Sequence, residues 1–120
     1  MAKYETYRRG SGIVKQGDII CVDLDPTKGH EQGKKRPALV ISNEKYHKRV
    51  NLVVICPITS KINHFPLHVM LPETLKTKGE VKCEQVRTID INARNYSKIE
   101  TAPQEVIREV FDIVFGIIEI

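Results

Sequence analysis

Short runs of β-branched residues between turn residues constrain this chain most, because runs of four to eight apolar residues suit strands better than helices. The strongest run covers residues 51–56, Asn-Leu-Val-Val-Ile-Cys, and continues into residues 57–60. A second run covers residues 37–42. It is apolar at consecutive positions, which predicts a strand buried on both faces. The core is therefore expected to form around a β-sheet.

The remaining segments predict more short strands. They are expected at residues 19–24, 67–71, 81–86 and 96–100, with residues 87–91 continuing the strand 81–86 after a bend. Residues 43–50 are polar and predict a short helix or turn, capped by Ser42 or Asn43. Residues 61–66 predict a loop, and residues 72–78 predict a connection with at most one helical turn.

The end of the chain has a different pattern, typical of an amphipathic helix. Apolar residues recur at helical spacing: Val106, Val110, Ile113 and Ile117, joined by Ile107, Val114 and Ile118. Thr101 and Gln104 have the spacing of a capping box, and Pro103 suits a first turn. About six strands and one terminal helix predict an α+β fold, built on a small antiparallel barrel or a curled sheet.

Length and charge limit the alternatives. With 120 residues the chain suits one domain, which we expect at residues 13–120 after a flexible N-terminal lead at residues 1–12. The formal net charge is +4, which favours an anionic partner. Aromatic residues make up 6% and Trp is absent, which argues against a broad stacking platform for bases.

The three cysteines, Cys21, Cys56 and Cys83, are odd in number and widely spaced, and all lie in apolar runs. This pattern predicts buried small hydrophobes in a reducing compartment. No apolar segment has the length of a membrane span, and the polar N-terminus lacks a signal-peptide core. We therefore expect a cytoplasmic protein that does not act at a membrane.

The most polar motif is residues 29–37, Gly-His-Glu-Gln-Gly-Lys-Lys-Arg-Pro, between two predicted strands. A core would gain nothing from this mixture, because buried polar groups need partners, whereas a loop that binds a charged ligand would. A solvated hairpin loop is the alternative.

Two further clusters are candidates for chemistry. Residues 59–61, Thr-Ser-Lys, follow a buried strand, although simple strand termination also explains them. Lys82 and Glu84 alternate along a predicted strand and should share one face, near Arg87. A solvated sheet face with a cross-strand ion pair is the alternative there.

Several motifs are absent. The sequence has no glycine-rich phosphate-binding loop and no nucleophile elbow, and Pro66 between His64 and His68 argues against a shared helical metal site. We expect neither a metal nor another cofactor.

Three segments, by their residues, order and spacing, resemble the MazF/PemK (Kid) toxins of bacterial toxin–antitoxin modules. They are residues 29–33 with Arg36-Pro37, residues 57–60 (Pro-Ile-Thr-Ser) and residues 84–90 (Glu-Gln-Val-Arg-Thr-Ile-Asp). The resemblance implies a CcdB/PemK-like, SH3-like barrel, a homodimer, and metal-independent endoribonuclease activity on single-stranded RNA. It also implies a cognate antitoxin whose C-terminal tail occupies the RNA site, with DNA contacted only through the antitoxin complex.

The resemblance also implies residue roles. Arg36 and Thr59 match the two positions most often assigned to catalysis, and His30 and Glu84 match a histidine and an acidic residue of the PemK/Kid branch. Lys82 stands where that branch has an arginine, and lysine lacks the planar fork of arginine. The implied substrate-binding residues are Glu31, Gln32, Lys34, Ser60, Lys61, Lys82, Gln85 and Arg87.

RNA supplies its own nucleophile, the 2′-hydroxyl, so the expected products are a 2′,3′-cyclic phosphate and a 5′-hydroxyl. Arg36 is expected to stabilise charge on the phosphate and Thr59 to add a hydrogen bond. Either His30 or Glu84 could remove the proton, and His30 is favoured because histidine titrates near neutral pH. A reaction without a dedicated base is the third option.

Two other classes remain open from the sequence: a binding-only toxin of the same fold, such as a gyrase inhibitor of the CcdB type, and an SH3-like nucleic-acid-binding module.

Overall fold

A computed structural model describes residues 14–31 and 33–120. The predicted lead and Gln32 lie outside the described residues. The elements in chain order are β1 (Asp18–Asp23), β2 (Lys35–Val40), α1 (Glu44–Arg49), β3 (Val53–Thr59), β4 (His68–Met70), β5 (Glu80–Lys82), a 3₁₀ helix (Cys83–Gln85), β6 (Arg87–Ile89), a second 3₁₀ helix (Ile91–Ala93), β7 (Tyr96–Thr101) and α2 (Gln104–Ile118).

The strands form one seven-stranded sheet in the order β4-β5-β3-β2-β1-β7, with β6 also pairing with β3. Every pairing among the described strands is antiparallel. Strand β3 is central, because β2 lies along one side and both β5 and β6 pair with the other. The α+β prediction is confirmed, with one strand more than expected. Closure of the sheet into an SH3-like barrel stays a prediction.

Both faces of the sheet are buried at its centre, as the apolar runs predicted. In β1, Ile19 belongs to a cluster that includes residues of α2, whereas Ile20 belongs to a second cluster on the opposite face. Strand β2 alternates in the same way, with Leu39 in the first cluster and Ala38 and Val40 in the second. The period of two along a strand therefore places neighbouring apolar residues in different clusters.

The helix caps differ from expectation at one end of the chain. Asn43 caps α1, where its Oδ1 accepts a hydrogen bond from the amide of Tyr46 at 3.0 Å. The predicted capping box of α2 is wrong, because Thr101 is still paired with Asp18 in the sheet and its Oγ1 donates to Asp18 Oδ1 at 3.3 Å. Pro103 is the N-cap of α2 and makes no side-chain cap bond.

All three cysteines are free thiols. Cys56 and Cys83 are buried as predicted, but the prediction is wrong for Cys21, which is only half-buried. Within residues 14–31 and 33–120, no helix has the length and apolar character needed to span a membrane.

Candidate active site

Arg36 and Thr59 lie on the same face of the sheet, at the same end of neighbouring strands. Ala38 pairs with Pro57 across β2 and β3. Arg36 is two residues before Ala38 and Thr59 two residues after Pro57, so the antiparallel register brings them level. Their approach depends on the register of two strands that are separated in the chain by α1.

The next two strands continue this polar face. Thr59 pairs with Glu80 of β5, and His68 of β4 pairs with Lys82. Residues paired across strands share a face, so Arg36, Thr59, Glu80, Lys82 and His68 all lie on one face of the sheet. Glu80 is level with Thr59, and Lys82 and His68 lie two residues further along β5 and β4. The same face carries the second apolar cluster further along the sheet.

His68 bridges two carboxylates. Its Nδ1 lies 2.8 Å from Glu80 Oε1 and its Nε2 lies 3.1 Å from Glu84 Oε2. The side chains of His68, Glu80 and Glu84 are 4%, 2% and 26% exposed, so Glu84 alone of the three faces solvent appreciably. Phe65 packs edge-on against the imidazole, with ring centroids 5.1 Å apart. The cluster is thus a shielded histidine between a buried glutamate and a partly exposed one.

Glu80 is held as an anion by its donors. Burial alone would raise the pKa of Glu80, but hydrogen bonds from His68 and from the backbone amides of His64 and Asn63 outweigh burial and lower that pKa. The amide of His64 donates to Glu80 Oε2 at 2.9 Å. Because an ionised carboxylate only accepts, Nδ1 of His68 must be the donor in its contact with Glu80.

The prediction that Lys82 and Glu84 share a face of one strand is wrong. Strand β5 ends at Lys82, and Cys83 opens a 3₁₀ helix that carries Glu84. The turn takes Glu84 out of the strand alternation and delivers its carboxylate to His68. A backbone bond from Cys83 to the carbonyl of Leu67, at 3.2 Å, fixes this turn against the start of β4.

The second oxygen of Glu84 is unusual. Oε1 is buried and makes no hydrogen bond within the described part of the chain. A buried carboxylate oxygen without a donor costs free energy, and such atoms in native structures commonly serve a function. This oxygen can accept a proton without breaking an existing bond.

Thr59 is positioned by its own neighbours. Its Oγ1 accepts a hydrogen bond from the amide of Lys61 at 3.2 Å. Gly79, with φ +123°, packs against the Thr59 carbonyl so closely that a Cβ there would overlap it. Only glycine combines that φ with this approach, so Gly79 fixes where β3 ends.

The polar loop between β1 and β2 is held by side chains that the sequence suggested would bind substrate. Arg87 donates to the carbonyl of Leu24 at 3.3 Å, and Gln85 Nε2 donates to the carbonyl of His30 at 3.5 Å. Glu31 accepts from the amide of Lys28 at 2.7 Å. In this structure all three stabilise the loop, and their role as substrate ligands stays a prediction.

Arg36 closes the base of the same loop. Its Nε donates to the carbonyl of Gly33 at 2.7 Å. Among residues 14–31 and 33–120, the two terminal nitrogens of Arg36 make no hydrogen bond. A pocket of about 340 Å³ lies beside it and is lined by Asp25, Thr27, Glu31, Gly33, Lys34 and Arg36. The guanidinium is therefore anchored at one nitrogen and able to offer the other two to an anion.

The remaining predicted residues lie around this centre. His30 is exposed at a turn of the loop, and its carbonyl accepts a hydrogen bond from Gln85 Nε2 on the 3₁₀ helix. Ser60 and Lys61 are exposed just beyond Thr59, and Lys34 is exposed with φ +65°. The structure thus places Arg36 and Thr59 level on β2 and β3, joins Glu84 to the same face of the sheet through His68, and puts His30 on the loop between β1 and β2.

Sequence reasoning missed His68 and Glu80 as members of this site. In the sequence, His68 stands out only through its spacing from His64, which argues against a metal site. Within the described ranges, no group of three or more His, Cys, Asp or Glu residues is arranged to hold a metal ion. One signal was present: His68 precedes Val69 and Glu80 precedes Val81, so alternation in two strands puts both polar residues on the face opposite two buried valines.

Comparisons with known proteins agree with this geometry. The family described as "PemK-like, MazF-like toxin of type II toxin-antitoxin system" matches residues 15–114. The endoribonuclease PemK of Escherichia coli is 37% identical over 106 residues, which cover 85% of this chain and 80% of PemK.

Solved structures agree as well. A crystal structure of MazF from Deinococcus radiodurans has a TM-score of 0.85 and 31% identity, covering 90% of this chain and 98% of that one. A MazE–MazF complex from the same organism has a TM-score of 0.77 and 32% identity, covering 88% and 95%. The chain therefore belongs to the PemK/MazF family of type II toxins.

Proposed function

We propose that this protein is an endoribonuclease toxin that cleaves single-stranded RNA without a metal ion. The observation that carries the proposal is that Arg36 and Thr59 lie level on one face of the sheet and that His68 joins Glu84 to the same face. It combines an anion-binding guanidinium with a hydroxyl and a carboxylate that has an unpaired oxygen. The relatives named above as endoribonucleases and the resemblance of the three site segments support it.

The chemistry needs no protein nucleophile. The RNA 2′-oxygen attacks the neighbouring phosphorus and loses its proton, the bond from phosphorus to the 5′-oxygen breaks, and that oxygen takes up a proton. The products are a 2′,3′-cyclic phosphate and a 5′-hydroxyl. Arg36 offers its terminal nitrogens to the non-bridging oxygens, where charge accumulates in the transition state.

Glu84 takes the 2′-hydroxyl proton in this scheme. We prefer Glu84 to His30, which the sequence favoured, because His68 orients the Glu84 carboxylate through Oε2 while the Glu84 side chain stays 26% exposed. His30, exposed on the loop between β1 and β2, then protonates the leaving 5′-oxygen. Thr59 adds a neutral hydrogen bond to the phosphate.

Substrate binding is assigned to the polar residues around this centre. Lys34, Lys61 and Lys82 supply positive charge beside the Arg36 pocket, and Ser60 supplies a hydroxyl. Phosphate contacts of this kind add affinity that weakens with salt. Glu31, Gln85 and Arg87 shape the loop. Gln32 lies outside the described residues, and we assign it to substrate binding because a carboxamide can read a base edge.

The proposed protein partners are an antitoxin and a second copy of the chain. The family is the toxin half of a type II system, and a relative forms a MazE–MazF complex. The C-terminal tail of the antitoxin would occupy the basic site, and DNA would be contacted only through that complex. The protein would act in the cytoplasm, where both mRNA and antitoxin are made.

Incubation of purified protein with a long single-stranded RNA in the presence of EDTA tests the function. Discrete fragments with 5′-hydroxyl ends are expected, and adding the antitoxin should stop their formation. Intact RNA under these conditions would instead favour a toxin that only binds its target.

A further inference from the structure

The loop between β3 and β4, residues 60–67, places an aromatic ring beside the proposed active site. The side chain of Phe65 is large and apolar, and Phe65 is 45% exposed. Its ring packs edge-on against His68, with centroids 5.1 Å apart, and His68 in turn contacts Glu84 at 3.1 Å. Exposure alone does not define a site, since single apolar side chains are common on protein surfaces. What sets Phe65 apart is how its loop is held.

The backbone around Phe65 is fixed by hydrogen bonds within the loop and to β5. Glu80, with a side chain 2% exposed, accepts from the amide of His64 at 2.9 Å. The amide of Phe65 donates to Asn63 Oδ1 at 3.3 Å, and the carbonyl of Phe65 accepts from the amide of His68 at 2.9 Å. Both backbone polar groups of Phe65 are therefore bonded, and a buried carboxylate anchors the residue before it. A ring held in place in this way loses little freedom when a ligand stacks on it.

The groups around the ring match the chemistry of a nucleotide. Phe65 offers an aromatic face to a base, and Lys61, exposed on the same loop, offers positive charge to a phosphate. Asn63 is also exposed and carries a carboxamide, which can hydrogen-bond a base edge. Proteins recognise single-stranded RNA mainly through unpaired bases that stack on aromatic side chains.

We propose that Phe65 is a substrate-binding residue whose ring stacks on a base flanking the scissile phosphate of the RNA. This inference rests on the proposed function, because it concerns the RNA held beside Glu84. Every base has an aromatic face, so the ring adds affinity with little preference among the four bases.

A tryptophan introduced at this position reports stacking directly. The chain has no Trp of its own, so Phe65→Trp contains a single indole. A base stacked on an indole quenches its fluorescence. The protein is titrated with a short single-stranded RNA that spans a cleavage site mapped with wild type. The 2′-hydroxyl at that site is replaced by hydrogen, so the RNA binds without being cut. Fluorescence should fall to a plateau as the RNA saturates the protein.

Val50→Trp is the matched control. Val50 is also exposed, at 36%, but it follows α1, which joins β2 and β3 at the ends opposite Arg36 and Thr59. An indole there should keep its fluorescence when the same RNA binds. Equal quenching of the two indoles would contradict a specific stacking role for Phe65.

A series of substitutions separates stacking from support of His68. Phe65→Ala should raise the Kd of the uncleavable RNA by roughly 5–150-fold, the range for losing one stacked base. Phe65→Tyr keeps the aromatic face and should bind like wild type. Phe65→Leu keeps apolar bulk beside His68 but has no aromatic face, so it should lose most of the affinity. With cleavable RNA, KM of Phe65→Leu should rise while kcat stays near wild type, because the ring contributes binding rather than chemistry.

Three further results would overturn the inference. One is a Phe65→Trp protein whose fluorescence is unchanged at saturating RNA, a measurement that stands even if Phe65→Ala fails to fold. Another is a Phe65→Leu protein that binds RNA as tightly as wild type. The third is a Phe65→Ala protein that binds RNA normally but no longer binds the antitoxin, since the ring would then be a protein contact. When wild type cuts RNA, these results refute the stacking role alone. A wild type that cuts no RNA refutes the proposed function, and the stacking role with it.

Discussion

The Nε2 of His68 lies 3.1 Å from Oε2 of Glu84, 16 positions later in the chain. This contact joins β4 to the 3₁₀ helix after β5 and turns an exposed carboxylate into a member of a hydrogen-bonded cluster. It makes Glu84 the best-supported proton acceptor of the site and leads to specific expectations for each group around it.

Arg36→Ala should lower the cleavage rate by roughly 10²–10³-fold, because removing one donor to a developing anion typically has that effect. The fold should survive, since Arg36 is only half-buried. Single-turnover cleavage of a short RNA measures the rate. Arg108→Ala, which removes an exposed arginine on the outer side of α2, is the control and should cut at the wild-type rate. An active Arg36→Ala enzyme would move the charge-stabilising role to Lys82.

Glu84→Gln and His30→Gln should respond differently to a better leaving group. An RNA with sulfur in place of the bridging 5′-oxygen needs no proton on its leaving group. It should therefore restore cleavage by His30→Gln but not by Glu84→Gln. Rates on matched oxygen and sulfur substrates measure this. If the sulfur substrate restores cleavage by Glu84→Gln instead, Glu84 protonates the leaving group and His30 is the base. If it restores neither variant, solvent supplies the proton to the leaving group.

Gly79→Ala should destabilise the fold by more than about 1 kcal/mol, the range for a side chain forced into positive φ. The added methyl group also overlaps the Thr59 carbonyl, so activity should fall along with stability. Urea unfolding measures the first effect and cleavage the second. Gly116→Ala on α2, where a Cβ would meet nothing within 4 Å, is the control and should not destabilise the protein. A Gly79→Ala protein as stable as wild type would contradict the assigned close approach.

Stability should fall on acidification, in part through Glu100. Burial alone would raise the pKa of Glu100, but the amides of Lys76 and Thr77 and the Thr77 hydroxyl lower it from its ordinary 4.5. The unfolded chain then binds this proton more readily, so the stabilisation is present above about pH 4.5 and is lost as pH falls through the folded value. Glu100→Gln should flatten this part of the stability–pH curve, measured by urea unfolding from pH 7 to 3. An unchanged slope would show that the carboxylate has the same affinity for protons in both states.

The protein should be a homodimer, because α2 has more apolar surface than its own core covers. Val106, Ile107, Val110 and Val114 are buried as predicted, but Ile117, Ile118 and Phe115 are exposed, the last at 58%. Phe115 stacks on Phe111 beside a groove of about 450 Å³. Apolar patches of this kind mark interfaces.

Sedimentation velocity at micromolar concentration measures the dimer. Phe115→Lys should shift the protein toward monomer, whereas Lys48→Glu on exposed α1 should leave the dimer intact. A wild-type monomer would refute the assignment.

Local patterns in the sequence determined most of the framework. Consecutive apolar residues at 37–42 predicted a strand buried on both faces, the spacing from Val106 to Val114 predicted α2, and Asn43 capped a helix as expected. These features depend on interactions between residues close in the chain, so a single sequence encodes them directly. The three site segments likewise indicated the family that the comparisons show.

Only the tertiary structure decided how the site is assembled. His68 and Glu80 are 12 positions apart, and their contact requires the β4–β5 register, the turn at Gly79 and burial of both side chains. Two other features have the same origin. Strand β5 ends at Lys82, which moves Glu84 onto a 3₁₀ helix. Thr101 pairs in the sheet, which prevents it from capping α2. Each depends on packing between segments that are distant in the chain. Local sequence propensities do not describe such packing, so only the folded chain brings His68 between Glu80 and Glu84.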